Sequence, residues 1–204
     1  MIPPLCFITD ADAPLPIPAQ AERAARGGAA WVQLRHKTLA DAAFAELART
    51  LRKLLDPLGA QLILNDRIEV ARELGSFGLH VGQSDGDSAK IRARIGPDPV
   101  LGLSVEAPAH LATLPAEAVT YLGVGPVRAT ASKADHAAPL GFDGLADIVA
   151  ASPLPCMAIG GLTAADIPDL QRAGCVSVAV VSAVSRATAP QAAAQAFLDK
   201  WSTV

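Results

Sequence analysis

Hydroxyls and a cation gather behind one short apolar run. Tyr121–Val124 leads through Gly125-Pro126 into a loop that carries Thr130, Ser132 and Lys133. Two hydroxyls, an ammonium and free backbone N–H groups are equipment for holding an anion, most naturally a phosphate. Other apolar runs end in matching equipment. In Gln33-Leu34-Arg35-His36-Lys37, strand alternation puts Gln33, Arg35 and Lys37 on one face. Three inward polar groups, two of them cationic, are costly unless they meet a ligand; the bland alternative is a solvated strand end. Asn65-Asp66-Arg67 and His80-Val81-Gly82-Gln83-Ser84-Asp85 each bring an Asp to the start of a helical stretch. There an Asp is ordinarily an N-cap, and Asp85 or Asp87 would serve as one. His80 is read as a hydrogen-bonded interior histidine rather than a catalyst. Two carboxylates from neighbouring strand ends, near cations that hold phosphate oxygens, also suit Mg²⁺. That ion takes one or two protein carboxylates and completes its octahedron with phosphate and water.

Ser104 ends a further run, Gly102-Leu103-Ser104, and offers a hydroxyl either to a phosphate or to the next helix as a cap. Two later runs end in Gly160-Gly161 and in Val181-Ser182. Paired glycines admit a ligand close to backbone N–H groups, although a tight turn alone would explain them. Together these residues suggest two anion sites. One is rich in side chains and metal-assisted, as a diphosphate requires; the other is built from backbone amides, as a monophosphate requires. A diphosphate held by Mg²⁺, Arg and Lys is a good leaving group, because its developing charge is stabilised as the bond breaks. We find neither a Ser-His-Asp set nor a hydrolytic carboxylate pair. Transfer of a group from a diphosphate ester to a second, phosphorylated substrate fits best.

The elements that must position these groups alternate along the chain. Strands are expected near 5–9, 31–34, 61–64, 78–80, 100–103, 120–123, 156–159 and 177–180. Helices are expected near 18–26, 39–55, 68–74, 88–95, 108–114, 142–150, 164–173 and 190–201. The helix at 39–55 has the clearest 3.6-residue period, with Phe44, Leu47, Leu51, Leu54 and Leu55 on one side. Eight such pairs in 204 residues predict a single-domain (β/α)₈ TIM barrel spanning 1–204. An open doubly wound sheet is the competitor, but no GxGxxG follows the first strand. In a barrel the C-terminal strand ends share one face, and the loops after strands seven and eight form the usual phosphate site. The stretch 125–141 is long, and rich in Gly, Ala, Ser and Pro. It is expected to be a mobile lid.

Composition supports this reading. Apolar residues make up 51% and aromatics only 4%, so packing falls to small aliphatic side chains. A net charge of −3 argues against bulk nucleic-acid binding and confines any anion site to a local pocket. Cys6, Cys156 and Cys175 lie in apolar runs and are expected as buried thiols of a reducing compartment. Neither a signal-peptide pattern nor a membrane-length apolar run is seen, so the expected location is cytoplasmic.

The segments FITD, VQLRHK, LILNDR, GLHVGQSD, LGLS, YLGVGPVRATASK, AIGG and AVVSAV resemble those of thiamine phosphate synthases. They occur in the family's order from residue 7 to 184. Singly weak, the ordered set is highly specific. The resemblance implies a TIM barrel that joins hydroxymethylpyrimidine diphosphate to thiazole phosphate and releases pyrophosphate. It implies that Gln33 contacts the aminopyrimidine, that Arg35, Lys37 and Asn65 hold the diphosphate, and that Asp66 and Asp85 bind Mg²⁺. Ser104 and Lys133 then contact the leaving pyrophosphate, making Lys133, Arg35 and Ser104 the catalytic set. Thr130 and Ser132, with backbone groups around Gly161, Val181 and Ser182, hold the thiazole phosphate. The implied chemistry is dissociative, with the thiazole nitrogen capturing a pyrimidine methylene cation, and it needs no side-chain nucleophile.

Two positions depart from the family pattern. Glu106 stands where a histidine is usual, and Arg128 where an aromatic is usual; Ser132 replaces the commoner threonine but keeps the hydroxyl. Arg128 is expected either to add phosphate affinity or to sit in solvent. A thiazole tautomerase-like homologue is one rival reading. A non-catalytic binding protein for thiamine precursors is another, and a homo-oligomer is compatible with all three.

Overall fold

Short β-branched and aliphatic runs, each followed by an alanine-rich amphipathic stretch, build one repeating unit: a strand, then a helix that returns over it. The computed structural model describes residues 1–75, 78–132 and 137–203. Its strands are β1 (Leu5–Ile8), β2 (Trp31–Leu34), β3 (Gln61–Asn65), β4 (Gly78–Val81), β5 (Val100–Val105), β6 (Tyr121–Val124), β7 (Cys156–Ile159) and β8 (Ser177–Val180). Each pairs in parallel with the next, and β8 pairs with β1 to close an eight-stranded barrel. Closure leaves no free edge and decides against the open sheet.

The helices are α1 (Ile17–Arg26), α2 (Asp41–Leu55), α3 (Ile68–Leu74), α4 (Ser88–Ile95), α5 (Gly141–Ala151), α6 (Ile167–Arg172), α7 (Ser182–Ser185) and α8 (Pro190–Ser202). On α2 the expected stripe is the buried one: Phe44, Leu51 and Leu55 are sealed, and Leu47 and Leu54 pack partly against the core. Two expected helices differ. Pro108–Thr113 is a 3-10 helix, because prolines at 108 and 115 bracket a stretch too short for stable α-turns. The helix expected at 164–173 starts as a 3-10 turn at Ala164–Asp166, closed by a capping box between Thr163 and Asp166. The single-turn α7 lies where no helix was expected.

Strand alternation divides the core in two. Leu5, Phe7, Val32, Leu34, Leu62, Leu64, Leu101 and Leu122 point outward under the helices. Cys6, Ile8, Trp31, Ile63, Tyr121, Met157 and Ala179 fill the barrel interior. Further along the same inward faces the residues turn polar or small. Trp31 gives way to Gln33, Ile63 to Asn65, and Tyr121 to Gly123. The barrel is therefore plugged at one end and opens onto polar groups at its C-terminal end. The three cysteines are buried free thiols, and burial pushes Cys6 and Cys175 up to about 12. Among the described residues no helix is long and apolar enough to cross a membrane.

Candidate active site

A cavity of about 410 Å³ opens at the C-terminal strand ends, floored by Ile8, Met157 and Ala179. Around it stand Gln33, Arg35, Lys37, Asn65, Asp66, Asp85, Ser104, Thr130, Ser132, Gly161, Val181 and Ser182. Every site residue expected from the sequence is thus brought to one place except Lys133, which lies outside the described residues. The apolar floor and Thr9 were not anticipated as site elements. Nothing in their residue types marks them apart from ordinary core.

Gln33 is almost fully buried on β2. Beyond it Thr9 clasps the backbone of Arg35. The Arg35 N–H donates to Thr9 Oγ1 at 3.0 Å, and that hydroxyl donates to the Arg35 carbonyl at 3.2 Å. The Arg35 guanidinium reaches across to the Ser132 carbonyl at 3.4 Å. One cation thereby links the two sides of the cavity.

The two aspartates are not caps. Asp87 caps α4, accepting from the N–H groups of Ala89 at 2.8 Å and Lys90 at 3.3 Å, which leaves Asp85 to the cavity. Asp66 precedes the Arg67 cap of α3 and holds φ at 64°, a left-handed conformation rare outside glycine. Such conformations persist where surrounding structure over-determines them, and they cluster at functional sites. Asp66 Oδ2 lies 3.0 Å from Lys37 Nζ. Asp85 accepts the Gly82 N–H at 2.6 Å. Burial, and then the Asp66 carboxylate beside it, hold the Asp85 carboxyl above its ordinary value, against the opposing pull of the Gly82 bond. Two mutually repelling carboxylates beside a cavity of cations and hydroxyls fit a hard divalent ion such as Mg²⁺, which would relieve the repulsion.

A carboxyl whose folded pKa is raised supports folding when protonated and loses that support as pH rises through its folded value. Asp85→Asn keeps an acceptor for Gly82 but removes the charge. Without added metal it should melt about 1–2 °C higher than the parent at pH 7. The difference should shrink as pH falls toward about 4. Melting curves that coincide at pH 7 would show that the carboxylates do not oppose each other.

The opposite wall is backbone. Gly160 and Gly161 hold φ at 102° and 66°. A Cβ on Gly160 would sit 2.6 Å from Pro126, and one on Gly161 would sit 2.7 Å from the Ala129 carbonyl. These glycines let the β6 and β7 loops press together. The Val127 N–H donates to Ile159 at 2.9 Å and the Arg128 N–H to Gly160 at 3.0 Å. Arg128 does not line the cavity and is half-exposed, yet it has a firm partner. Its guanidinium lies 2.7 Å from the buried carboxylate of Asp166 and 5.2 Å from the Phe142 ring centroid, pinning the β6 loop to the start of α6. It thus lies at the surface, as one expected reading has it, but tied to Asp166 rather than loose. Glu106 does line the cavity.

Fold and cavity together define a class: parallel (β/α)₈ barrels whose site lies at the C-terminal strand ends and is equipped for anions. The sequence profile of the family described as thiamine monophosphate synthase matches residues 5–184. A thiamine-phosphate synthase of Xanthobacter autotrophicus is 46% identical over 176 residues, covering 86% of this chain and 83% of that one. One from Solidesulfovibrio magneticus is 47% identical over 173 residues, covering 85% and 82%. The solved thiamine phosphate pyrophosphorylase of Pyrococcus furiosus superposes with a TM-score of 0.88 at 27% identity, covering 98% of this chain and 96% of its own. The chain belongs to the thiamine monophosphate synthase family, and the family expected from its motifs is the one found. It is accordingly an enzyme of the transferase class.

Proposed function

We propose that this enzyme joins hydroxymethylpyrimidine diphosphate to thiazole phosphate, releasing pyrophosphate and forming thiamine phosphate. The observation that carries this reading is the two-sided cavity. Arg35, Lys37 and the carboxylates of Asp66 and Asp85 face a wall of hydroxyls and paired glycines across about 410 Å³.

Gln33, held in the barrel mouth, orients the aminopyrimidine. Arg35, Lys37 and Asn65 bind the diphosphate and place its ester carbon toward the second substrate. Asp66 and Asp85 would hold Mg²⁺, which when bound offsets the charge that builds on the departing diphosphate. Ser104 donates to a leaving-group oxygen, and Lys133 completes that contact. Thr130, Ser132 and the backbone N–H groups near Gly161, Val181 and Ser182 grip the monophosphate of the acceptor. In the dissociative sequence the C–O bond to the diphosphate breaks first, and its electron pair leaves on oxygen. The thiazole nitrogen then gives its lone pair to the methylene cation. The apolar floor of Ile8, Met157 and Ala179 keeps water from intercepting that cation. The loop expected as a lid, 125–141, includes residues 133–136, which lie outside the described residues.

The direct test supplies both substrates with Mg²⁺ and follows thiamine phosphate and pyrophosphate together. Equal amounts of each, lost on adding EDTA and restored by Mg²⁺, are expected. Tight binding of the pyrimidine diphosphate without turnover would instead favour a binding protein. Isomerisation of a thiazole precursor would favour the tautomerase-like reading.

A further inference from the structure

Inside the barrel, below Ser104, three side chains from consecutive strands form a chain of hydrogen bonds. The Tyr121 hydroxyl on β6 lies 2.9 Å from His80 Nδ1 on β4, and His80 Nε2 lies 3.0 Å from Ser104 Oγ on β5. The room for this chain is made by glycines in register with it. Gly102 pairs with both His80 and Tyr121, and Gly123 pairs with Ser104. A Cβ on Gly102 would lie 2.3 Å from the Tyr121 ring and 2.4 Å from His80 Nδ1; one on Gly123 would lie 2.9 Å from His80 Cε1. An arrangement for which two neighbouring strands give up their side chains is a built feature.

The direction of the chain is decidable. Tyr121 is fully buried, and among the described residues its hydroxyl has one hydrogen-bond partner, His80. Burial holds the phenol well above its ordinary pKa, so it keeps its proton at neutral pH. Were His80 to donate from Nδ1, the phenol proton would be buried with no acceptor, which is the costlier arrangement. Tyr121 therefore donates to Nδ1, the imidazole carries its proton on Nε2, and Nε2–H donates to Ser104 Oγ. With a lone pair so engaged, the Ser104 hydroxyl is left to turn its own proton into the cavity. In the reverse direction Ser104 would spend that proton on His80 and present only lone pairs to an anion.

We infer that Tyr121 and His80 are positioning residues that lock the tautomer of His80 and so keep Ser104 as a hydrogen-bond donor to the leaving diphosphate. This rests on the reading of Ser104 as a diphosphate contact. Tyr121 is sealed beneath the cavity, whereas His80 also borders it; the role inferred for both is exerted through the serine. Groups behind a contact residue commonly matter about 10–100-fold when removed.

The tautomer is read directly on the whole, unmodified chain. In ¹⁵N spectra of histidine-labelled protein, with the His80 signals assigned by their loss in His80→Asn, the Nε2–H form is expected; a dominant Nδ1–H form overturns the inference. Kinetics supply the second readout. Tyr121→Phe should lower kcat about tenfold, with the KM for the pyrimidine diphosphate changed less than about twofold. That loss should vanish when Ser104 is already alanine. An impaired Ser104→Ala on which Tyr121→Phe still costs tenfold defeats the relay alone. A Ser104→Ala enzyme with parental turnover defeats the reading of Ser104, and the relay's purpose falls with it.

Discussion

Asp66→Asn is expected to reduce turnover at least about 100-fold at millimolar Mg²⁺, with little change in melting temperature. The fold should tolerate the change because asparagine is among the few residues that adopt the left-handed conformation, and φ at this position is 64°. The backbone can thus keep its course from β3 into α3, and the Asp66 N–H can still donate to the His80 carbonyl at 2.9 Å. What disappears is charge. Lys37 loses its carboxylate partner at 3.0 Å, and the pair Asp66–Asp85 loses half of its attraction for a hard cation. Rates measured against Mg²⁺ concentration separate the consequences. A curve displaced to higher Mg²⁺ with a recoverable maximum marks a lost metal ligand. A depressed maximum with an unmoved midpoint marks the loss of Lys37 placement. A parental curve would return Asp66 to the role of a turn residue.

Gly102→Ala should be strongly destabilising. Its Cβ would meet the Tyr121 ring at 2.3 Å and His80 at 2.4 Å, both inside any real contact distance. Tyr121 cannot retreat, since it is fully buried with its ring centroid 5.4 Å from that of Trp31. Overpacking of this kind costs about 3 kcal/mol, which for a domain of this size lowers the melting temperature by roughly 10 °C. Gly123→Ala is the graded comparison. Its Cβ would press only on the edge of the His80 ring, at 2.9 Å, so a smaller fall is expected. Equal melting temperatures for Gly102→Ala and the parent, measured by calorimetry, would mean that the interior is looser than these distances imply.

The elements were legible for a local reason. A strand of four or five residues and a helix of ten to fifteen write their burial at periods of 2 and 3.6, and α2 shows its stripe in the sequence as it does in the fold. Boundaries and type failed where proline decided them, as at Pro108–Thr113, or where a single turn was too short to leave a period, as at Ser182–Ser185. Much of the cavity was legible too. Residues at C-terminal strand ends are local to their own strand, and a barrel gathers them by symmetry alone.

Ambiguity began wherever one residue type serves two ends. Asp66, Asp85 and Asp87 all sit at strand-to-helix junctions, and only Asp87 proves to be a cap. Backbone torsion and neighbouring carboxylates separate them, and neither is written in residue type. Arg128 found its partner in Asp166, 38 positions away, and no spacing rule reaches that far. The bonds from Tyr121 through His80 to Ser104 depend on how β4, β5 and β6 are staggered around the barrel. A one-residue slip would turn each of those side chains to the opposite face. By itself the sequence determined the alternation of elements, the closed barrel it implies and the chemical types gathered at the strand ends, because all of these follow from near neighbours. The tertiary structure alone decided which carboxylate meets which, where Arg128 is tied and how Ser104 is aimed, because those depend on register and closure.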